Sequence, residues 1–296
     1  MPEAAANPGT LYIVATPIGN LEDLSPRARR VLGEVTAIIC EDTRHSRKLL
    51  EAGGLQKPLI SFYEENEAQR LPELLARLRA GESLALISDA GAPTVADPGY
   101  RLTAAAAAEN IQIVPVPGPS AVIAALMASG LPSDAFYFGG FLPARGGARR
   151  ARLRELEGRS ETLIFFEAPH RLCASLDDLR EILGPQRLIA AGRELTKLHE
   201  EIVRGTLAEV ARHFSTRAPR GEFTLVIAGA GKETEPGSSP DATTPRARAL
   251  AEMRARLAQG LAPREALRET ARATGIGRSE IYRWWEQEKE MDPAQR

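Results

Sequence analysis

Three turns carry the groups in this chain best suited to holding a small polar ligand. Ser88-Asp89-Ala90-Gly91-Ala92-Pro93 follows the apolar run Ser83–Ile87. Pro117-Gly118-Pro119-Ser120-Ala121 follows Ile111–Val116, and Thr16-Pro17-Ile18-Gly19-Asn20 follows Leu11–Val14. Glycine lets backbone approach a ligand closely, and the N–H and C=O groups of such turns bind polar atoms. Asp89 either accepts from a ligand hydroxyl or ammonium or caps the next helix or turn. Ser120 reads as the N-cap of a helix beginning at Ala121. That role is compatible with ligand binding, because a helix N-terminus is itself a polar-ligand site. The first turn lacks a GxGxxG pattern and no Walker A sequence occurs, which argues against a standard dinucleotide or P-loop site. The four histidines and two cysteines show no metal-ligand spacing, Glu167 and His170 being the one pair near it, so no metal is expected.

An apolar run that ends in a turn reads as a buried strand opening at its carboxyl end, the edge where open α/β sheets bind ligands. Strands are expected at Leu11–Ala15, Thr36–Cys40, Leu59–Tyr63, before Asp89 and before Gly118. Helices are expected from Pro26 to about Leu32, over Glu67–Arg79 and over Gly99–Glu109. Ser25 as N-cap with Pro26 at the first helical position is a helix-start signature. The alternation argues for a mainly parallel sheet with helices on its faces, over residues 9–119.

A second α/β domain is expected over 120–230. It opens with the nearly all-apolar helix Ala121–Ser129, expected to be buried between the two units. Strands at Thr162–Phe166, Arg187–Ala191 and Phe223–Ala228 alternate with helices at Arg171–Leu183 and Leu207–Phe214. Residues 231–245 lack apolar periodicity and read as a flexible linker. Residues 246–290 read as a small helical module, where Pro263–Thr274 and Arg278–Glu288 flank Gly275-Ile276-Gly277 like a helix-turn-helix.

A chain of 296 residues suits two or three domains, and its 43% hydrophobic and 26% charged content suits a soluble globular protein. The net charge of −1 confines any nucleic-acid surface to a local patch. Cys40 and Cys173 make no disulfide framework and fit a reducing cytoplasm. Met1–Gly9 lacks signal-peptide character, and the apolar stretch around Ala121–Leu131 is too short to span a bilayer. A cytoplasmic location and no membrane partner are therefore expected.

The ordered motifs LYIVATPIGN (11–20), EDTRH (41–45), SDAGAP (88–93) with DPG (97–99), PVPGPSA (115–121), FFEAPHR (165–171) and GRELTK (192–197) carry a resemblance. Together they are similar to the ribosomal RNA small subunit methyltransferase I family, among the tetrapyrrole-methylase-like S-adenosylmethionine enzymes. The similarity runs from about Leu11 to Ala230. It implies two tetrapyrrole-methylase-like α/β domains with a cofactor cleft between them, and S-adenosyl-L-methionine as cofactor. It implies 2′-O-methylation of a cytidine ribose in 16S rRNA at the decoding centre, with the 30S subunit as partner, and a homodimer. By position, the cofactor residues would be Ile18, Asp89, Gly91, Ser120, Ala121 and Glu167. The chain departs from the wider superfamily at the first turn, where tetrapyrrole methylases carry GxGPG and this sequence has Thr16-Pro17-Ile18-Gly19.

A ribose 2′-hydroxyl attacks poorly unless its proton is accepted or its developing charge is stabilised. With the resemblance, Lys197, Glu194 and His170 become the catalytic candidates. Lys197 serves either as a base of depressed pKa or as a contact to the neighbouring phosphate. The competing reading makes Glu194 and Lys197 a surface ion pair and His170 a brace for the Pro169 turn. The RNA contacts would be Arg44, oriented by Asp42, with Arg145, Arg149, Arg150 and Arg171. Arg145–Arg154 otherwise reads as a solvated helix face, and Tyr282, Trp284 and Trp285 as either module core or base-stacking groups. Two other activities compete. One is a tetrapyrrole-type C-methyltransferase, against which stand the altered first turn and the helical module. The other is a DNA-binding regulator with an α/β sensor.

Overall fold

The computed structural model describes residues 8–216, 219–231 and 245–291. The chain forms two compact units that divide between Glu233 and Thr234. The expected linker lies almost wholly outside the described residues.

The first unit contains two five-stranded sheets. In the first, β1 (Thr10–Val14), β2 (Ala37–Cys40), β3 (Leu59–Ser61), β4 (Leu84–Leu86) and β5 (Gln112–Val116) lie in the order β3-β2-β4-β1-β5. Every pairing is parallel. Central strands of such a sheet are covered on both faces, which is why Ala37–Cys40 and Leu84–Ile87 read as unbroken apolar runs. One face, carrying Leu11, Ile39 and Leu86, packs on Leu74 and Leu78 of α3 (Glu67–Arg79) and Leu102 of α4 (Tyr100–Ala108). The opposite face, carrying Val14, Ile38 and Ala85, packs on Val31 and Leu32 of α1 (Pro26–Glu34) and Leu50 of α2 (Thr43–Ala52). Each fully buried leucine or isoleucine side chain contributes about 1.5–3 kcal/mol. Helix α1 starts as its sequence signature requires: Ser25 Oγ accepts from the Ala28 amide at 3.0 Å, with Pro26 in the first turn.

The second sheet has the order β6-β7-β10-β8-β9, from β6 (Phe136–Phe141), β7 (Thr162–Glu167), β8 (Leu188–Arg193), β9 (Glu201–Thr206) and β10 (Phe223–Ile227). Only the β6–β7 pairing is parallel. One face packs on α6 (Gly146–Leu156), α7 (Leu172–Leu183) and α8 (Leu207–Ser215) through Leu153, Leu176 and Val210. The other carries Ile164, Ala190 and Val226 against Val122, Ala125 and Leu126 of α5 (Ala121–Ser129), with Ile18 of the β1 turn joining the same cluster. Burial of α5 is one-sided, which corrects the expectation of an enclosed helix: Ile123 is 43% and Met127 80% exposed.

The second unit comprises α9 (Pro245–Ala258), α10 (Pro263–Thr274) and α11 (Arg278–Met291). Gly275 ends α10 in the left-handed region, as a glycine C-terminal turn does. Ala249, Leu250, Met253, Ala266 and Ile281 are buried, while Tyr282 is exposed and Trp284 and Trp285 are half-buried. Among the described residues no helix is long and apolar enough to cross a membrane.

Candidate active site

Strand order explains where a ligand site forms. β1 leads to β2 on the far side of β4, while β4 leads to β5 on the far side of β1. The carboxyl ends of β1 and β4 therefore flank a switch point, the crevice open α/β sheets use for ligands. Their two turns are locked together: Thr16 N–H donates to Gly91 O at 2.9 Å and Gly91 N–H to Thr16 O at 3.0 Å. Buried hydroxyls complete the lock, Thr16 Oγ1 donating to Ser88 O at 3.1 Å and Ser88 Oγ to Gly91 O at 3.2 Å. Asp89 caps no helix; its Oδ1 accepts the Asp42 amide at 3.3 Å.

A cavity of about 390 Å³ opens above these turns, and Ile18, Asp89, Gly91, Ser120, Ala121 and Glu167 all line it. The structure thus brings together the six residues that the resemblance assigns to the cofactor. Ser120 occupies the N-cap position of α5, yet its side chain makes no capping bond, which leaves its hydroxyl and the first amides of the helix beside the cavity. Glu167 is different. Its fully buried carboxylate accepts from the Ala168 amide at 2.8 Å, from Ser175 Oγ and from Arg171 Nη2 at 2.8 Å, so it braces the wall from within. This also corrects the RNA role of Arg171, whose guanidinium is turned inward onto that carboxylate.

None of the three catalytic candidates lines the cavity itself; Leu195 and Pro169, beside them in the chain, and Glu222, which Lys197 contacts, form its wall. His170 is exposed in the turn before α7. Lys197 Nζ donates to Glu194 Oε1 at 2.9 Å and to Glu222 Oε2 at 3.1 Å. Burial pulls the Lys197 pKa down, but the hydrogen bonds and charges of these two carboxylates outweigh it and hold the ammonium above its usual value. That direction speaks against a base of depressed pKa and favours a phosphate-binding or charge-stabilising role. The stem of Lys197 packs on the first turn: a Cβ added to Gly19 would lie 2.3 Å from Lys197 Cγ, so only glycine admits this approach. Glu194 (φ 49°) and Thr196 (φ 66°) sit in the left-handed region, strain of about 1–3 kcal/mol each that clusters at functional loops.

Glu222, Thr224 and Phe141 line the cavity from outside every motif, and Asp97 and Phe166 line it from within two of them. Asp97 carried a signal in its Asp-Pro-Gly turn; Glu222 carried none. Burial, then the nearby Glu41 charge, pushes the Asp97 carboxyl up to about 6 despite a bond from Ser88. A carboxyl raised in the folded state costs stability as pH climbs from its unfolded value, about 3.9, through its folded one. Asp97→Asn is therefore expected to raise the melting temperature at pH 8 and leave it unchanged near pH 4. After allowance for solvent screening, the gain corresponds to about 1 kcal/mol. Thermal melts at the two pH values check this.

The arginines divide by surroundings. Arg44 is 87% exposed at the start of α2 and bonds to Asp42 through Nε at 3.2 Å and Nη2 at 2.9 Å, so Asp42 orients it as expected. These bonds hold the Asp42 carboxyl down to about 2. Arg145 and Arg154 are exposed and make no ion pair among the described residues. Arg150 is partly exposed and reaches Asp178 Oδ1 at 3.1 Å. Arg149 is the clear correction: only 5% exposed, it bonds to Asp178 at 2.6 Å and is part of the α6–α7 packing. Among the described residues no group of three or more His, Cys, Asp or Glu side chains is placed to hold a metal ion.

Residues 10–211 match the model of the tetrapyrrole (corrin/porphyrin) methylases. The chain is 45% identical over 274 residues to ribosomal RNA small subunit methyltransferase I of Synechocystis sp., covering 93% of this chain and 96% of that protein. It is 46% identical over 281 residues to the protein of that name from Xylella fastidiosa, covering 94% and 99%. The chain belongs to the ribosomal RNA small subunit methyltransferase I family. Uroporphyrin-III-C-methyltransferase from Thermus thermophilus is similar in fold, with a TM-score of 0.52 at 23% identity, covering 74% of this chain and 94% of that one. Membership makes the protein a methyltransferase, and the cavity at the switch point is its candidate active site.

Proposed function

We propose that this methyltransferase acts on 16S rRNA, methylating the ribose 2′-oxygen of one cytidine at the decoding centre of the 30S subunit, with S-adenosyl-L-methionine as donor, as a cytoplasmic homodimer. One observation carries the reading: six residues from four family motifs converge on one cavity, and Glu222 in its wall accepts from Lys197 Nζ.

The residues present fit the cofactor. The cavity volume of about 390 Å³ falls within the range of small-molecule sites, about 300–1,000 Å³. Ile18, Val122 and Leu195 supply apolar wall, Asp89 and Asp97 supply acceptors for hydroxyl or ammonium groups, and the start of α5 supplies amides suited to a carboxylate. S-adenosylmethionine, when bound, supplies an electrophilic methyl group on a positively charged sulfur. The chain's own contribution is positioning, since an acceptor held in line at about 3–3.5 Å gains most of the rate available to such a displacement. Lys197 has three donors and uses two on Glu194 and Glu222. The third is left for a phosphate or for the oxygen whose charge develops.

The test is methyl transfer from labelled S-adenosylmethionine to purified 30S subunits that lack endogenous 2′-O-methylation, followed by mapping of the labelled nucleotide. Label on one cytidine ribose of the decoding region is expected. No label on subunits or naked rRNA, with cofactor binding intact, overturns the reading.

A further inference from the structure

We propose that Phe141 is the platform on which the base of the target nucleotide stacks, a deepening of the RNA reading above. In a regular strand, residues three apart face opposite sides of the sheet. Phe138 and Phe141 do not. Phe138 pairs with Ile164 and Phe141 with Phe166, so three steps along β6 match two along β7. The extra residue is a bulge, a device that re-aims a side chain and is common beside active sites.

The Gly139-Gly140 pair makes this bulge possible. A Cβ on Gly139 would lie 2.4 Å from the Phe165 ring, and Gly140 has φ of 66°. As a result both rings reach the same face and grip Phe166 edge-on, Phe138 at 5.0 Å and Phe141 at 5.5 Å between centroids.

What the bulge presents is an aromatic ring that lines the cavity yet is 56% exposed. Burial is not its purpose, because Phe138 and Phe166 pack against the buried cluster beneath α5 and Phe141 does not. A ring fixed edge-on to its neighbour and open on the outside is a stacking surface. RNA-binding proteins that read unpaired nucleotides use such rings, since every base has a π face. Chain order supports the assignment. Four residues after Phe141 stands Arg145, exposed and without an ion pair among the described residues, at the start of α6. A ring for a base and an exposed cation for a backbone phosphate thus stand four residues apart on one segment of the chain.

The experiment compares wild type with Phe141→Ala and Phe141→Tyr, measuring methyl transfer to 30S subunits and, separately, S-adenosylmethionine affinity by calorimetry. Because Phe141 is half outside the core, the alanine variant should melt close to wild type, and the melt is recorded for each variant. Phe141→Ala is expected to lower kcat/KM for the subunit by about ten- to a hundredfold through KM, with cofactor affinity unchanged. Phe141→Tyr should restore most of the loss. Wild-type kcat/KM in Phe141→Ala overturns the platform. A matching loss of cofactor affinity overturns it too, by placing the ring on the cofactor. If the wild type itself labels no RNA, the RNA reading fails and the inference with it, an outcome distinct from the other two.

Discussion

Replacing Lys197 by alanine is expected to lower kcat for methyl transfer by about a hundred- to a thousandfold, with cofactor affinity little changed. The argument rests on how the ammonium is held. Glu194 and Glu222 approach it at 2.9 and 3.1 Å, and Gly19 presses on its stem, so the charge is fixed beside the cavity before any acceptor arrives. A preorganised charge stabilises a developing oxyanion without reorganising during the reaction. The two carboxylates keep the lysine pKa above its usual value. The residue therefore stays charged from pH 6 to 9, and deprotonation of Lys197 puts no limb into the rate profile across that range. A lysine base would do the opposite, its activity rising with pH as the neutral form appeared. Lys197→Arg should retain part of the rate, and Glu194→Gln should lose part of it by loosening the anchor. Single-turnover rates with separately measured cofactor affinity decide the matter. Full single-turnover activity in Lys197→Ala would reduce the cluster to an ion pair.

Much of this cavity's lining is legible in the sequence. Apolar runs ending in glycine and proline turns located β1, β4 and β5, and those three turns line the cavity. What stayed hidden has identifiable causes. β6 contains Gly139-Gly140, which punctuates a sequence like a loop, although here it forms a bulge within an edge strand. β9 is the opposite edge, and its Glu201-Ile-Val-Arg-Gly-Thr sequence is only half-buried, so no apolar run marks it. α2 begins at Thr43 within a stretch that reads as a strand-end loop, because the cap that starts it, Asp42 accepting from the Arg44 amide, is also a turn signal. The closeness of Glu222 to Lys197 spans 25 residues and comes from strand pairing, which places Phe223 opposite Arg193. Local spacing shows Glu194 and Lys197 as a pair; only the sheet makes them a cluster.

Arg149 shows most plainly how tertiary partners decide a residue's use, and its removal should have the largest effect on stability. Read along the chain it is one of five arginines in an acid-free stretch, while in the fold its guanidinium meets Asp178 at 2.6 Å from 29 residues away. Both partners are buried, at 5% and 6% exposure. Removing one member of such a pair leaves an uncompensated charge and costs about 3–5 kcal/mol. Arg150 still reaches Asp178 Oδ1, so the lower end applies, about 3 kcal/mol for Arg149→Ala, or a fall of about 6–12 °C in Tm. Replacing both partners with apolar residues of similar volume, Arg149→Met with Asp178→Leu, should return stability to near the wild-type level, since no buried charge is then stranded and the partly exposed Arg150 turns to solvent. The same residue supplies a control for the RNA surface. At a temperature where Arg149→Ala is folded, its salt dependence of subunit binding should match wild type, because an internal guanidinium neutralises no phosphate. Arg145→Ala should instead reduce the slope by about one. A reduced slope in Arg149→Ala as well would return that arginine to the RNA surface.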